Sequence, residues 1–463
     1  MKRFPVPLAL AGTLWAQALL AQNPPAPTSV PAILERLDKL EKQNLELQAE
    51  IQKLRQELAA AKPPAETLAV APDPAAATPP ASTEERLDIQ EKRTEELAQS
   101  KLDTSQKMPV ELTGMLLFNA FSNGKNGGPL QNPVTASLNR GPDNSGASFR
   151  QTVLGLRFHG PALPGGGKAE GSFYMDFWGG VAAPTGNLLR IRLATVDLIW
   201  KNTTITAGQD KPIVAPREPS SLAQVGLAPL TGAGNLWNWQ PQVRILQRFR
   251  FSETTGIRAE AGVFQTAEIA PTSAPAAIAA TLERARPAWE GRVNFYTCND
   301  ERAFEIAPGF HYAKSHIGGF TVPSKLFTLD WNVKPVQAFE FTGAMFKGQN
   351  AAGLGSLRQG FTVLSTAAGT TVIPVHVTGA WGQFTYFATP KLSFHVFGGA
   401  ELNRPSDLLS GSVRQNIIYA GNAIYKLAPN ILAAFEVSQN RTLYINNGLR
   451  LNNHYDLALA YLF

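Results

Sequence analysis

Residues Tyr455 to Phe463 read Tyr-Asp-Leu-Ala-Leu-Ala-Tyr-Leu-Phe. In an extended chain Tyr455, Leu457, Leu459, Tyr461 and Phe463 share one side and Asp456, Ala458 and Ala460 the other, with Leu462 the large apolar residue out of phase. A period of two marks a strand whose faces meet different surroundings. An apolar face with aromatic ends that closes on phenylalanine is the pattern of a transmembrane barrel strand, where alternate residues meet lipid and lumen.

The same alternation runs back through the chain. Phe173, Met175 and Phe177 oppose Glu170, Ser172, Tyr174 and Asp176, and Val243, Ile245, Phe249 and Phe251 oppose Gln242, Arg244, Arg248 and Arg250. A soluble sheet rarely sets phenylalanines on one face against arginines on the other, because the charged face then needs water and the apolar face a dry partner. About sixteen such windows fit between 110–123 and 452–463, an even number, as a single-chain bacterial barrel requires. The fold class is therefore an all-β transmembrane barrel, residues 108–463, preceded by an α-helical coiled coil. Ala428-Pro429-Asn430 and Thr389-Pro390-Lys391 read as tight turns at one end. The Gly-, Asn- and Pro-rich stretches 123–147, 268–285 and 349–375 read as long loops at the other, and 212–240 as a loop folded into the lumen. No stretch is long and apolar enough for a membrane helix.

The first 107 residues have a different character. Lys2 and Arg3, the apolar run Leu8 to Leu20 and the small residues Ala16, Ala18 and Ala21 read as a secretory signal peptide, residues 1–21. Within 31–62, Ile33, Leu37, Leu40, Leu47, Ile51, Leu54 and Leu58 recur at alternating spacings of four and three, with Asn44 in the series. This is a coiled-coil seam, and a polar residue in it fixes register and strand number. A single amphipathic helix lying on the barrel or the membrane is the competing reading. Residues 63–82, rich in Pro and Ala, form a semi-extended linker, and 83–107 a short helical connector.

Of the 42 Lys and Arg, 29 lie beyond residue 107, against 21 of the 36 Asp and Glu, so the barrel carries an excess of eight positive charges. These charges are spread through alternating strands, which speaks against a nucleic-acid partner. The single cysteine, Cys298, excludes an internal disulfide, and the six histidines show no metal spacing. No cofactor, metal or catalytic arrangement is expected. Strand parity turns Arg157, Arg190, Arg192, Arg244, Arg248, Arg250, Arg258 and Arg292 toward the lumen. Guanidinium groups along an aqueous path favour carboxylates and phosphates. The alternative is that they pair across strands with Glu170, Asp176, Glu260 and Glu290 to stiffen the wall.

Val110 to Gly128, Phe149 to Gly160, Thr206 to Arg244 and Phe463 resemble the DcaP-like porins of bacteria, with Gly208-Gln209-Asp210 and Gln240-Pro241-Gln242-Val243-Arg244 as markers. The aromatic residue of that family after the aspartate is Lys211 here. The resemblance implies a sixteen-stranded outer-membrane porin, a homotrimer assembled through a periplasmic coiled coil, passing small anionic solutes. Its Phe463 resembles the signal read by the barrel-assembly machinery. Outer-membrane lipid and the cell wall complete the expected partners. A plugged structural barrel that anchors the coiled coil is the competing function.

Overall fold

The computed structural model describes residues 109–180, 187–299, 302–367 and 369–463. The signal peptide, coiled coil, linker and connector expected from the sequence lie outside the described residues.

Sixteen antiparallel strands form one closed barrel. They are β1 (Val110–Asn123), β2 in two pieces (Asn144–Ser148 and Val153–Leu163), β3 (Gly167–Gly179), β4 (Leu188–Ile199), β5 (Thr203–Asp210), β6 (Gln240–Arg250), β7 (Thr255–Gln265) and β8 (Pro287–Cys298). There follow β9 (Ala303–Ile317), β10 (Phe320–Val336), β11 (Phe339–Gln349), β12 (His376–Thr389), β13 (Leu392–Asn403), β14 (Val413–Ala428), β15 (Ile431–Tyr444) and β16 (Gly448–Leu462). Each strand pairs with the next, and β16 returns to β1 in the register Met115↔Leu462 through Asn123↔His454. The Gly114 N–H donates to the Phe463 carbonyl at 2.9 Å and the Phe463 N–H to Gly114 at 3.2 Å, which completes the seam. Closure leaves no edge for another chain to pair with.

The period of two accounts for both surfaces. On β9 the outward residues are Phe304, Ile306, Pro308, Phe310 and Tyr312, and the inward ones Glu305, Ala307, Gly309, His311 and Ala313. Near the tight-turn end the outward aromatics meet across strands: Phe339 stacks on Phe384 and Tyr386 at 5.7 and 5.3 Å, and Tyr386 on Phe394 at 6.5 Å. Such girdles sit where hydrocarbon gives way to headgroups. Inside, buried side chains such as Asn119, Asp176, Glu290, Asp330, Glu436 and Asp456 are polar.

Tight turns 164–166, 200–202, 251–254, 337–338, 390–391 and 429–430 mark one end. The segments 211–239, 266–286 and 350–375 mark the other. The loop 350–375 carries its own hairpin, Phe361–Thr366 with Gly369–Pro374, where an irregular loop was expected. The break in β2 is a second departure. Its first piece pairs with Asn119–Asn123 and its second with Val110–Met115, while Arg150, Gln151 and Thr152 leave the ladder and are buried inside the barrel. Each sequence window for a strand overlaps one of the sixteen, but period alone does not reveal an interruption whose cause is a distant loop.

Leu457 lies on the outward face midway along β16. Leu457→Arg is expected to destabilise the folded barrel by about 2–4 kcal/mol, the range for a cation at the bilayer midplane. Guanidinium unfolding in lipid vesicles measures it.

Candidate functional site

The loop 211–239 is not outside the barrel. Its chain follows the inner wall almost all the way round, and each sector supplies a polar side chain to a backbone or side-chain group of the loop. The Ile213 N–H donates to Glu290 of β8 at 2.7 Å. Arg217 reaches Glu305 of β9 at 2.6 Å and Asp330 of β10 at 2.8 Å. The Ser220 N–H donates to Gln383 of β12 at 2.7 Å, and its carbonyl accepts from Asn422 of β14 at 2.8 Å. Ser221 donates to Glu436 of β15 at 2.6 Å, and Asn119 of β1 donates to the Leu222 carbonyl at 2.9 Å. At the break in β2, Gln151 uses both ends of its amide. It donates to Asn119 at 3.0 Å and the Ala223 carbonyl at 2.7 Å, and accepts from the Val225 and Gly226 N–H groups at 2.7 and 2.8 Å. Arg192 and Arg190 of β4 then donate to the carbonyls of Val225 and Gly226.

The loop returns along β14, β13 and β12. Asn416 donates to the Gly232 carbonyl at 2.9 Å, and Leu230 and Ala233 pack with Trp381, Phe397, Ile418 and Ala420. The approach is close enough that a Cβ on Gly399 would collide with the Ala233 carbonyl and one on Gly234, at φ +97°, with the Ala380 backbone. Glycine is therefore required on both sides of this contact. Between the loop and the wall lies a cavity of about 390 Å³ whose lining includes Lys211, Arg217, Glu218, Glu340, Gln383 and His395.

The eight arginines selected by parity all lie on inward positions, in different electrostatic situations. Arg190 and Arg192 share Asp176 at 2.6 and 3.0 Å and lie over the Trp239 ring at 5.0 and 4.6 Å. Arg292 is nearly enclosed, with both Asp330 oxygens at 2.7 and 2.8 Å and Glu260 at 3.3 Å. Arg244 pairs with Asp210 at 2.5 Å. Arg258 is 3.7 Å from Glu305 and 4.2 Å over the Tyr296 ring. Arg157, at the tight-turn end, is 3.8 Å from Glu111 and bonds Tyr174 at 3.1 Å. Arg248 and Arg250 have no ion pair among the described residues, and Arg248 stands directly across from Arg258. Like charges opposite one another are unfavourable unless an anion or water screens them.

The cross-strand pairing considered from sequence holds for Asp176 and Glu260. It does not hold for Glu170, which pairs with Lys168, or for Glu290, which takes His311 at 3.1 Å and the loop N–H. His311 is buried on the inner wall between Glu290 and Ser324. Trp237 is buried and donates its backbone N–H to Leu354, and Trp239 lies under the two arginines, so both belong to the lumen and not to an interfacial belt. Gln151 and Arg217, two anchors of the loop, carry no sequence signal beyond a polar residue at an inward or loop position.

No family profile and no curated protein matches the sequence. Solved structures do match. The outer membrane channel DcaP of Acinetobacter baumannii aligns over 76% of this chain and 97% of its own, with TM-score 0.63 and 15% identity. An anion-selective porin from Comamonas acidovorans aligns over 76% and 99%, with TM-score 0.50 and 11% identity. OmpF of Salmonella typhi, in complex with daunomycin, aligns over 76% and 97%, with TM-score 0.50 and 11% identity. The barrel therefore has the fold of bacterial outer-membrane porins.

Gln151→Ala strands two loop N–H groups and a carbonyl inside the barrel. It is expected to cost roughly 3 kcal/mol, since each unsatisfied buried group carries about 1–3 kcal/mol. Guanidinium unfolding reads the loss, and faster protease cleavage within 211–239 reports loosening of the loop itself.

Proposed function

We propose that the chain is an outer-membrane porin that passes small hydrophilic solutes by diffusion and favours anions. The observation that carries this reading is that two adjacent inward guanidinium groups, Arg248 and Arg250, stand without an ion pair among the described residues, while most inward acids are engaged and Glu340 of the cavity lining is the unpaired exception. Glu290, Glu305, Asp330 and Glu436 are engaged by the loop, and Asp176, Asp210 and Glu260 by wall arginines. Among the described residues, Arg248 and Arg250 have no acidic partner, and both lie on β6 toward the tight-turn end. A guanidinium left facing water along a narrow path lowers the energy of a passing anion, and its planar fork suits carboxylate and phosphate. The other predicted arginines, Arg157, Arg190, Arg192, Arg244, Arg258 and Arg292, contribute field while held by acids, which keeps them in place as solutes move past.

The long-loop end faces the outside and the tight-turn end the periplasm, the usual sense of such barrels. Residues 31–62 then lie in the periplasm and assemble three protomers through their heptads, with 63–82 and 83–107 joining them to the barrel and the coiled coil reaching toward the cell wall. Phe463 marks the chain for the assembly machinery. Neither role needs a cofactor or a metal.

Reversal potential across a salt gradient in planar bilayers tests the reading. Anion selectivity is expected, and the pair Arg248→Gln with Arg250→Gln is expected to reduce it while conductance persists. Unchanged selectivity in that variant removes these two residues from the filter, and absence of any current leaves a plugged barrel that anchors the periplasmic segment. Deleting residues 31–82 is expected to preserve conductance and lower the oligomer mass measured by light scattering.

A further inference from the structure

The cavity of about 390 Å³ lies between loop residues 211–220 and the wall of β11 to β13. Its wall residues stand at the tight-turn ends of their strands: Glu340 is the second residue of β11, Thr385 and Phe387 are near the end of β12, and His395 is near the start of β13. The volume falls within the roughly 300–1,000 Å³ of small-molecule sites. Much of the lining is already satisfied. Gln383 accepts from the Ser220 N–H at 2.7 Å and donates to the Thr385 hydroxyl at 2.9 Å, and His395 lies between Thr385 and Ser393 at 3.1 and 2.9 Å. Arg217 is held by Glu305 and Asp330 at 2.6 and 2.8 Å.

Two charges of the lining are left open, one on each side. Glu340 faces inward beside Thr385, and among the described residues it is the only acid of the sixteen strands with neither an ion pair nor a hydrogen bond. From the loop side, Lys211 Nζ meets Glu218 at 3.0 Å. An ammonium carries three donors, so a single carboxylate leaves others for a ligand. Lys211 stands where the family that the chain resembles has an aromatic residue, so this cation belongs to the present sequence. A solute bearing only a positive charge is drawn to Glu340 but meets Lys211 and Arg217 in the same cavity, and one bearing only a negative charge is drawn to Lys211 but meets Glu218 and Glu340. Pro216 and Phe387 add apolar surface to the lining.

We propose that this cavity is a binding subsite for zwitterionic solutes of amino-acid size, which set an ammonium group against Glu340 and a carboxylate against Lys211. A small apolar side chain lies against Pro216 and Phe387. Opposite charges at the two ends of the solute turn two mixed encounters into two charge-assisted hydrogen bonds. The proposal rests on the porin reading, because the solute reaches the cavity through the lumen. It extends that reading from the sign of a solute's charge to the placement of two charges on one molecule.

The test is a saturation-transfer difference NMR titration of the full-length protein in detergent with three probes: L-valine, isovalerate, which lacks the ammonium group, and isobutylamine, which lacks the carboxylate. Saturable binding of valine is expected, with half-saturation about tenfold below that of either analogue, the effect of one hydrogen bond to a charged group. Glu340→Gln is expected to raise the valine value about tenfold and leave isovalerate binding no weaker. Lys211→Gln is expected to raise the valine value and leave isobutylamine binding no weaker. No saturable valine signal, equal half-saturation for valine and an analogue, or an unchanged valine value in either variant would each overturn the proposal. Far-UV circular dichroism shows that the barrel of each variant is intact. Wild-type protein that carries no current in planar bilayers overturns the porin reading but not the binding site, which the titration reads without transport.

Discussion

A chain that enters a barrel takes its peptide groups away from bulk water, and each buried N–H or carbonyl then needs a partner. The loop 211–239 has no helix or sheet of its own to supply them. The inner wall does so instead, through Asn119 of β1, Gln151 at the break in β2, Glu290 of β8, Gln383 of β12 and both Asn416 and Asn422 of β14. The break is the clearest instance. Four residues abandon strand pairing so that one glutamine can meet two donors and one acceptor of the loop, a local loss of ladder offset by a fully bonded amide. Much of the polar character of the lumen thus follows from holding the loop and would be required even in a barrel that carried no solute.

That requirement bears on electrostatics. The loop brings donors of its own, so acids on four strands are drawn into its support: Glu290 of β8 by the Ile213 N–H, Glu305 of β9 and Asp330 of β10 by the Arg217 guanidinium, and Glu436 of β15 by the Ser221 hydroxyl. Arginine is a donor only. It can serve the loop through carbonyls, as Arg190 and Arg192 do, but Arg248 and Arg250 lie nearer the tight turns and have no side-chain acceptor among the described residues.

The sequence is most legible where the cause is local. Alternation of apolar and polar residues depends on the pleat alone, so the strands and their inward faces follow from residue parity, as β16 and β6 show. The length and proline content of 211–239 likewise mark it as something other than a turn. Partnerships are a different matter. Gln151 and Gly226 are 75 positions apart, and Asn416 and Val134, which also bond, are 282 apart. Nothing near Arg292 announces that it is locked between Asp330 and Glu260, nor near Arg248 that it is not.

The seam between β1 and β16 has a kinetic consequence. Asn119 and Asp456, bonded across it, are 337 positions apart, so the wall is sealed by one of the most distant contacts in the chain. Loop-closure entropy opposes such contacts, and topologies dominated by them fold slowly. Until β16 arrives, the sheet has two free edges and a lipid-facing surface with no lipid. A chain in that state is prone to pair with its copies. Sealing the seam therefore does more than complete the wall: it removes the two edges at which copies of the chain could pair.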